Sequence, residues 1–257
     1  MYDETIAKLT TAAQKKNDLL NSSIFKYLIS SAFAGSFIGF GILLIFNIAS
    51  FASGSPMVKI LMGVSFSVAL SLVIFTGTDL FTGNNLIMTV GKLNKGVKTS
   101  DLMRVWIFSY FGNFIGALLL SLIFVGAGFA KGPIAETFQN MSLAKAGAGF
   151  MPLLFRGILC NMLVCLAVLI SFRTNDDTAK LIIIFLCLYT FITCGFEHSI
   201  ANMTVYGVSL LSPDIRGVGM AEMFANLIPV TIGNIIGGAF ILGCGYFSLG
   251  SKSFKNR

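Results

Sequence analysis

Residues 77–84 read Gly77-Thr78-Asp79-Leu80-Phe81-Thr82-Gly83-Asn84, and residues 195–202 read Gly195-Phe196-Glu197-His198-Ser199-Ile200-Ala201-Asn202. Both strings open on glycine, place a carboxylate at the third position, close on asparagine and interrupt an otherwise apolar run. A second pair follows in the same order, Gly112-Asn113-Phe114-Ile115-Gly116-Ala117 and Gly233-Asn234-Ile235-Ile236-Gly237-Gly238. The two pairs are offset by 118 and 121 residues, which reads as one internal duplication with small changes in the loops. Halves with an odd number of membrane crossings point in opposite directions, so a duplication of three spans gives an inverted repeat. Irregular backbone at membrane depth is tolerated only where protein or a water-filled cavity satisfies it. Paired interruptions at matching places in two halves therefore point to a pore or a binding site.

Working outward, the chain of 257 residues is 55% hydrophobic and only 11% charged, too little polar surface to coat a water-soluble domain of this size. Six apolar runs are long enough for the roughly 20 residues a crossing helix needs. They are 27–48, 57–90 with a break, 105–129, 152–172, 181–205 with a break, and 223–247. The expected fold is an all-α membrane protein: six transmembrane helices in an inverted 3+3 repeat, with spans 2 and 5 broken. Residues 25–250 form the channel domain, flanked by a cytoplasmic N-terminal helix over 1–24 and a cytoplasmic tail over 251–257. The first run starts after a polar segment carrying Lys8, Lys15, Lys16 and Lys26 and has no small-residue cleavage site at a suitable distance, so it reads as a span and not a leader. Ile6, Leu9, Ala12, Ala13, Leu19 and Leu20 give the N-terminal segment a weak apolar stripe, consistent with a helix lying on the surface.

The net charge of +7 is not gathered into one tract or face, which argues against a nucleic-acid partner. It follows topology instead. With the amino terminus inside, 13 basic residues fall on the cytoplasmic side (among them Lys92, Lys95, Lys98, Arg104, Arg173 and Lys180) and 5 on the other (Lys59, Lys131, Lys145, Arg156 and Arg216). Both termini are therefore expected in the cytoplasm of a multi-pass cell-membrane protein. The five cysteines, Cys160, Cys165, Cys187, Cys194 and Cys244, fall within spans without C-x-x-C spacing and read as packing residues.

Each break carries a carboxylate, Asp79 or Glu197, where an unpaired charge is costly. The expected solution is structural: each carboxylate accepts backbone N–H bonds at the start of the half-helix that follows, with proton carriage as the other reading. His198, the only histidine, lies in the second break beside Glu197, which favours a pore residue over a core imidazole. A single histidine without a zinc pattern excludes bis-histidine haem and a histidine-rich metal site, so no metal or cofactor is expected.

These strings, with Arg156-Gly157-Ile158-Leu159-Cys160-Asn161 and Asn226-Leu227-Ile228-Pro229-Val230-Thr231-Ile232-Gly233-Asn234, closely resemble the formate/nitrite transporter family. The resemblance runs from about residue 25 to 250 and, by overall likeness, is greatest to the hydrosulfide ion channel branch. It implies a homopentamer in membrane lipid, each protomer with an aquaporin-like six-helix fold, its own pore and two hydrophobic constrictions around the histidine. Phe66 and Phe191 are implied for the periplasmic slit, and Leu70, Leu80 and Phe81 for the cytoplasmic one. Thr82 is implied to face His198 across the pore, Lys145 to be a vestibule lysine in the loop before span 4, and Asn161 and Asn234 to lie near the conduction path; these five are the expected substrate-binding residues. Asp79, Glu197, Asn84 and Asn202 are read as structural at the breaks, and Asn113 as a helix-packing amide.

The implied activity is conduction of small monovalent weak-acid anions, hydrosulfide first and formate or nitrite next. A charge entering a dry apolar slit loses its hydration, at a cost of several kcal/mol or more. Protonation to a neutral acid removes most of that barrier, with the proton coming from His198, through water, or from bulk in a cationic vestibule. The alternatives are a proton-coupled anion carrier and a neutral-solute channel of aquaporin type, although the two asparagine-proline-alanine motifs of true aquaporins are absent. An intramembrane hydrolase using Ser199 or Cys194 lacks a nucleophile-elbow pattern, and no enzymatic activity is expected.

Overall fold

The computed structural model describes residues 2–250; the expected tail over 251–257 lies outside the described residues. The described chain is helical throughout. α1 is Tyr2–Ser22, α2 Ile24–Phe51, α3 Val58–Thr76, α4 Phe81–Leu93, α5 Thr99–Gly126, α6 Gly132–Ala146, α7 Phe150–Ser171, α8 Asp177–Thr193, α9 Ser199–Leu211 and α10 Met220–Ile235. α10 continues through a π-helical stretch, Ile236–Cys244, into a last turn, Gly245–Ser248.

Five helical segments are long and apolar enough to cross a membrane by length and composition: α2, α3, α5, α7 and the continuous Met220–Ser248. The fifth apolar run of the sequence is divided between α8, of 17 residues, and the shorter α9. The interruptions fall where the glycine-led strings stand, since α3 stops at Thr76 and α4 starts at Phe81, while α8 stops at Thr193 and α9 starts at Ser199. Gly77 (φ 69°) and Gly195 (φ 74°) make these stops, because a left-handed turn ends a helix without the penalty a Cβ would bring.

The long helices pack in two similar sets. α2 lies along α5 and α3, α7 lies along α10 and α8, and α3 and α8 meet each other. Contacts between α2 and α5, and between α7 and α10, are close enough to require missing side chains. A Cβ on Gly116 would overlap the Ala32 carbonyl, and one on Gly237 would overlap the Ile158 carbonyl. α4 and α9 are enclosed by these helices and buried over nearly their whole length. α1 covers one end of α4 with Ile6, Leu9, Ala13 and Leu20 buried, and α6 packs on α9 and α10.

Within such a bundle the first N–H groups of α4 and α9 have no water to turn to, so each needs a protein acceptor. Asn113 supplies one: its Oδ1 accepts the Phe81 N–H at 2.9 Å, and its Nδ2 donates to the carbonyls of Ser31 (2.7 Å) and Asp79 (2.9 Å). Asn234 makes the same three contacts in the other set. Its Oδ1 accepts the Ser199 N–H at 2.9 Å, and its Nδ2 donates to the carbonyls of Gly157 (2.8 Å) and Glu197 (3.0 Å).

Replacing either asparagine with leucine strands three main-chain groups and is expected to destabilise the protein by on the order of 3–5 kcal/mol. Thermal unfolding in detergent would register this as a clear fall in midpoint for both variants. An unchanged midpoint would show that the breaks are held by something else.

Candidate functional site

The breaks bring α4 and α9 together with their N-terminal ends facing, so two sets of helix-start dipoles converge on one small region. Thr82, in the first turn of α4, and His198, the residue that caps α9, meet there with Oγ1 and Nε2 3.0 Å apart. His198 Nδ1 accepts the Ala201 N–H at 3.1 Å, an arrangement that leaves no proton on that nitrogen. The ring is then neutral with its proton on Nε2, and Nε2–H donates to Thr82. Both side chains are buried.

Aromatic and aliphatic side chains close the region on two sides. Phe191 stacks nearly parallel to the imidazole, with centroids 6.1 Å apart and planes 18° off, and meets Phe66 edge-on at 5.5 Å. On the other side Phe81 is held edge-on by Tyr110 at 5.0 Å and by Trp106 at 6.4 Å. Leu70 and Leu80 are buried and form part of the wall of a cavity of about 440 Å³ that opens toward α1 and is also lined by Lys15, Lys16, Asp79 and Lys180.

Beyond these layers each break holds an ion pair. Lys16 of α1 reaches Asp79 at 2.5 Å, and Asp79 also accepts from Tyr27 Oη (3.2 Å), Ser30 Oγ (3.4 Å) and Asn84 Nδ2 (3.5 Å). Lys145 of α6 donates to both oxygens of Glu197 at 2.9 Å, and Asn202 Nδ2 donates to the same carboxylate at 2.6 Å. The carboxylates are nearly enclosed, whereas the lysines remain 16% and 18% exposed, so each pair shows its positive end to the outside.

This geometry corrects three expectations. Asp79 and Glu197 do not cap the half-helices: the asparagines of the neighbouring long helices do, joined at α9 by His198, and the carboxylates are spent on lysines and on Asn84 and Asn202. Lys145 is not in a loop but in the last turn of α6. Asn234 is not free to meet a solute, because its amide is taken up by main chain. Asn161 is engaged likewise, donating to the Thr82 carbonyl (3.3 Å), Asn85 Oδ1 (3.0 Å) and the Asn234 carbonyl (2.7 Å). Of the cysteines, Cys160, Cys165 and Cys187 are buried, Cys165 donates to the Thr82 carbonyl, and Cys194 is exposed at the second break.

Sequence reasoning missed Lys16, Tyr27 and Asn226. Lys16 had a signal: it continues the buried series Ile6, Leu9, Ala13 and Leu20 at helical spacing, so a lysine stands on the apolar face of α1. Asn226 accepts from Asn202 at 2.7 Å and donates to the Lys145 carbonyl at 3.4 Å, tying α10 and α6 to the second break.

A multi-pass helical protein in which two interrupted helices meet around polar side chains, between apolar layers and paired charges, has the build of a membrane channel or transporter. The chain belongs to the formate/nitrite transporter family, whose model matches residues 3–248. The nitrite transporter NirC of Escherichia coli K12 is 35% identical over 249 residues, covering 96% of this chain and 92% of that protein. A solved structure described as an FNT family ion channel superposes with a TM-score of 0.92 at 33% identity, covering 96% of this chain and 99% of that one. A pentameric formate channel with formate bound superposes at 0.78 with 30% identity, covering 88% and 97%.

The ion pairs differ from surface pairs in that removing one partner leaves a charge in a nearly closed site. Lys145→Met is therefore expected to lower stability by roughly 3–5 kcal/mol, while Lys145→Met combined with Glu197→Gln recovers most of the loss. Comparing unfolding midpoints of the two single variants and the double variant measures the coupling. Additive losses would mean that the pair carries no mutual energy.

Proposed function

We propose that this chain conducts small monovalent anions of weak acids, with nitrite, formate and hydrosulfide as the substrate class. The observation that carries this reading is the Thr82–His198 pair, a hydrogen-bonding centre set between two apolar layers, each backed by a lysine–carboxylate pair. The names of the relatives support nitrite and formate. Hydrosulfide shares their charge and approximate size.

The chain on this reading crosses the membrane six times: α2, α3 with α4, α5, α7, α8 with α9, and α10. The matching contacts of Asn113 with Asn234, Lys16 with Lys145, and Asp79 with Glu197 support an inverted three-plus-three arrangement in which α1 and α6 open the two halves. The basic residues of the α1 end support a cytoplasmic position for that end and for both termini. The pentameric relative supports a ring of five copies, each with its own path.

An anion approaching from outside meets the positive end of the Lys145–Glu197 pair, and from inside it meets Lys16 with Lys15 and Lys180 around the cavity. The attraction is longer-ranged than any hydrogen bond and raises the local anion concentration. Phe66 with Phe191, and Leu70 with Leu80 and Phe81, then impose a dry passage in which a naked charge loses its hydration. The paired cations lower the barrier to approach, and protonation lowers the barrier to passage. At the centre the Thr82 hydroxyl is the group with a proton to offer, since His198 Nε2–H already donates to it and Nδ1 is occupied by Ala201. His198 acts as a fixed donor that orients Thr82. Asn161 and Asn234 contribute by holding the main chain of the breaks in register.

Flux into proteoliposomes should therefore fall in the order of weak-acid anions over chloride, and should rise as external pH is lowered, for formate, nitrite and hydrosulfide alike. A chloride flux equal to that of formate at both of two pH values would end the reading. Thr82→Val is expected to lower formate flux by about tenfold, and Thr82→Ser to retain most of it. His198→Asn keeps a side-chain donor at that position. Unchanged flux and unchanged pH dependence in that variant would remove the imidazole as an obligatory proton source, consistent with its orienting role here. Glycerol-driven swelling comparable with that in sodium formate would instead favour a neutral-solute channel.

A further inference from the structure

The two faces of α4 differ in a way that the anion path does not explain. Leu80, Gly83, Asn84 and Ile87 line the cavity under α1. Thr82, Asn85 and Thr89, spaced three and four residues apart, form another face, and this one packs on the π-helical stretch of α10. Gly238 lies against Asn85 and Gly243 against Thr89. Along this seam polar atoms lack partners: Asn85 Nδ2, Thr89 Oγ1 and, one turn beyond Gly243, Tyr246 Oη. All three residues are buried.

An orphan amide or hydroxyl inside a membrane bundle is expensive, and three in one seam call for a common occupant. Thr89 is the most telling of them. The helix-borne hydroxyls of Ser109, Ser121, Ser171 and Ser209 each fold back to a carbonyl four residues earlier, whereas that of Thr89 does not. Thr89 packs its Cγ2 against Gly243 of the π-helical stretch, and its hydroxyl has no main-chain acceptor on its own helix; π-helical segments within helices are frequent at functional sites. The seam joins the centre at its upper end, since Asn161 bonds both Asn85 Oδ1 and the Thr82 carbonyl. Its lower end reaches the surface at Thr89 and Tyr246, each 8% exposed, with the Tyr2 ring of α1 edge-on to Tyr246 at 5.6 Å.

We propose that the α4–α10 seam holds a file of water molecules, bonded by Asn85, Thr89 and Tyr246, that delivers protons from the α1 end to Thr82 along a route separate from the anion's. The proposal rests on the reading of Thr82 and His198 as the centre of conduction. In the step it serves, the Thr82 O–H bond breaks as a bond forms between that proton and the anion. A proton shifts along the file to restore the hydroxyl, and the last water takes one from the aqueous phase. The net change is one anion and one aqueous proton becoming one neutral acid, with no oxidant or second reactant.

X-ray hydroxyl-radical footprinting of the full-length protein in lipid nanodiscs labels side chains that touch ordered internal water. Cys165, wholly buried and bonded to the Thr82 carbonyl, and Tyr246 should be modified, whereas Cys160, equally buried but off the seam, should not. Asn85→Leu and Thr89→Val should abolish labelling of Cys165. In proteoliposomes carrying a pH-sensitive dye, Thr89→Val should slow formate-driven proton movement about tenfold, with Thr89→Ser restoring it. Absence of Cys165 labelling in the unaltered protein would overturn the water file. Labelling combined with unchanged proton movement in Thr89→Val would overturn its role as a route. Failure of the unaltered protein to pass any weak-acid anion would instead defeat the conduction reading and the proton route together, while the labelling result would still decide whether the water is there.

Discussion

A helix that begins inside a closed apolar bundle leaves N–H groups with nowhere to go, and the rest of this molecule is arranged around that constraint. Two asparagines carried by long neighbouring helices answer it, each through one accepted and two donated bonds to the main chain. Because an asparagine side chain is short, the helices that bear Asn113 and Asn234 must run close to the breaks. Close approach in turn requires the small residues that line α2 against α5 and α7 against α10. The polar centre is thus a by-product of correct main-chain pairing: once the breaks are pinned, Thr82 and His198 have few other places to point.

Charge is then used in a setting where it is hard to keep. Asp79 and Glu197 sit beside the pinned breaks, and each is neutralised by a lysine that arrives from a short helix outside the core bundle. The two pairs are built differently. Glu197 takes Lys145 through both oxygens, while Asp79 shares its load among Lys16, Tyr27, Ser30 and Asn84. Buried pairs of this kind seldom add net stability over an apolar substitute, and in each of the two the cation is the partner that faces outward.

Much of this was legible in the residues. Gly77 and Gly195 marked the stops, the paired strings marked equivalent places, and a lone histidine in an interruption marked the centre. What the sequence concealed was partnership across the chain. A carboxylate at the start of a helix is normally read as a cap, yet here the caps come from 32 and 35 residues away. Lys145 lies between two apolar runs, where a loop is the simplest reading, and nothing local announces that α6 aims it at residue 197. Lys16 is legible in principle, since it lies on the stripe that α1 buries, but a basic residue near a first span is equally well explained by topology. Asn161 and Asn234 carried polar groups into the bundle without revealing that main chain consumes them.

The ring contacts have one more consequence. Phe191 lies nearly parallel to the imidazole of His198 and edge-on to Phe66, so three rings from α3, α8 and the second break form a contiguous row. Any widening between the two phenyl groups therefore moves a surface against which the imidazole rests, and aperture and aim become one mechanical coordinate. The spacing of Phe66 and Phe191 and the direction of the His198 Nε2–H toward Thr82 cannot then change independently.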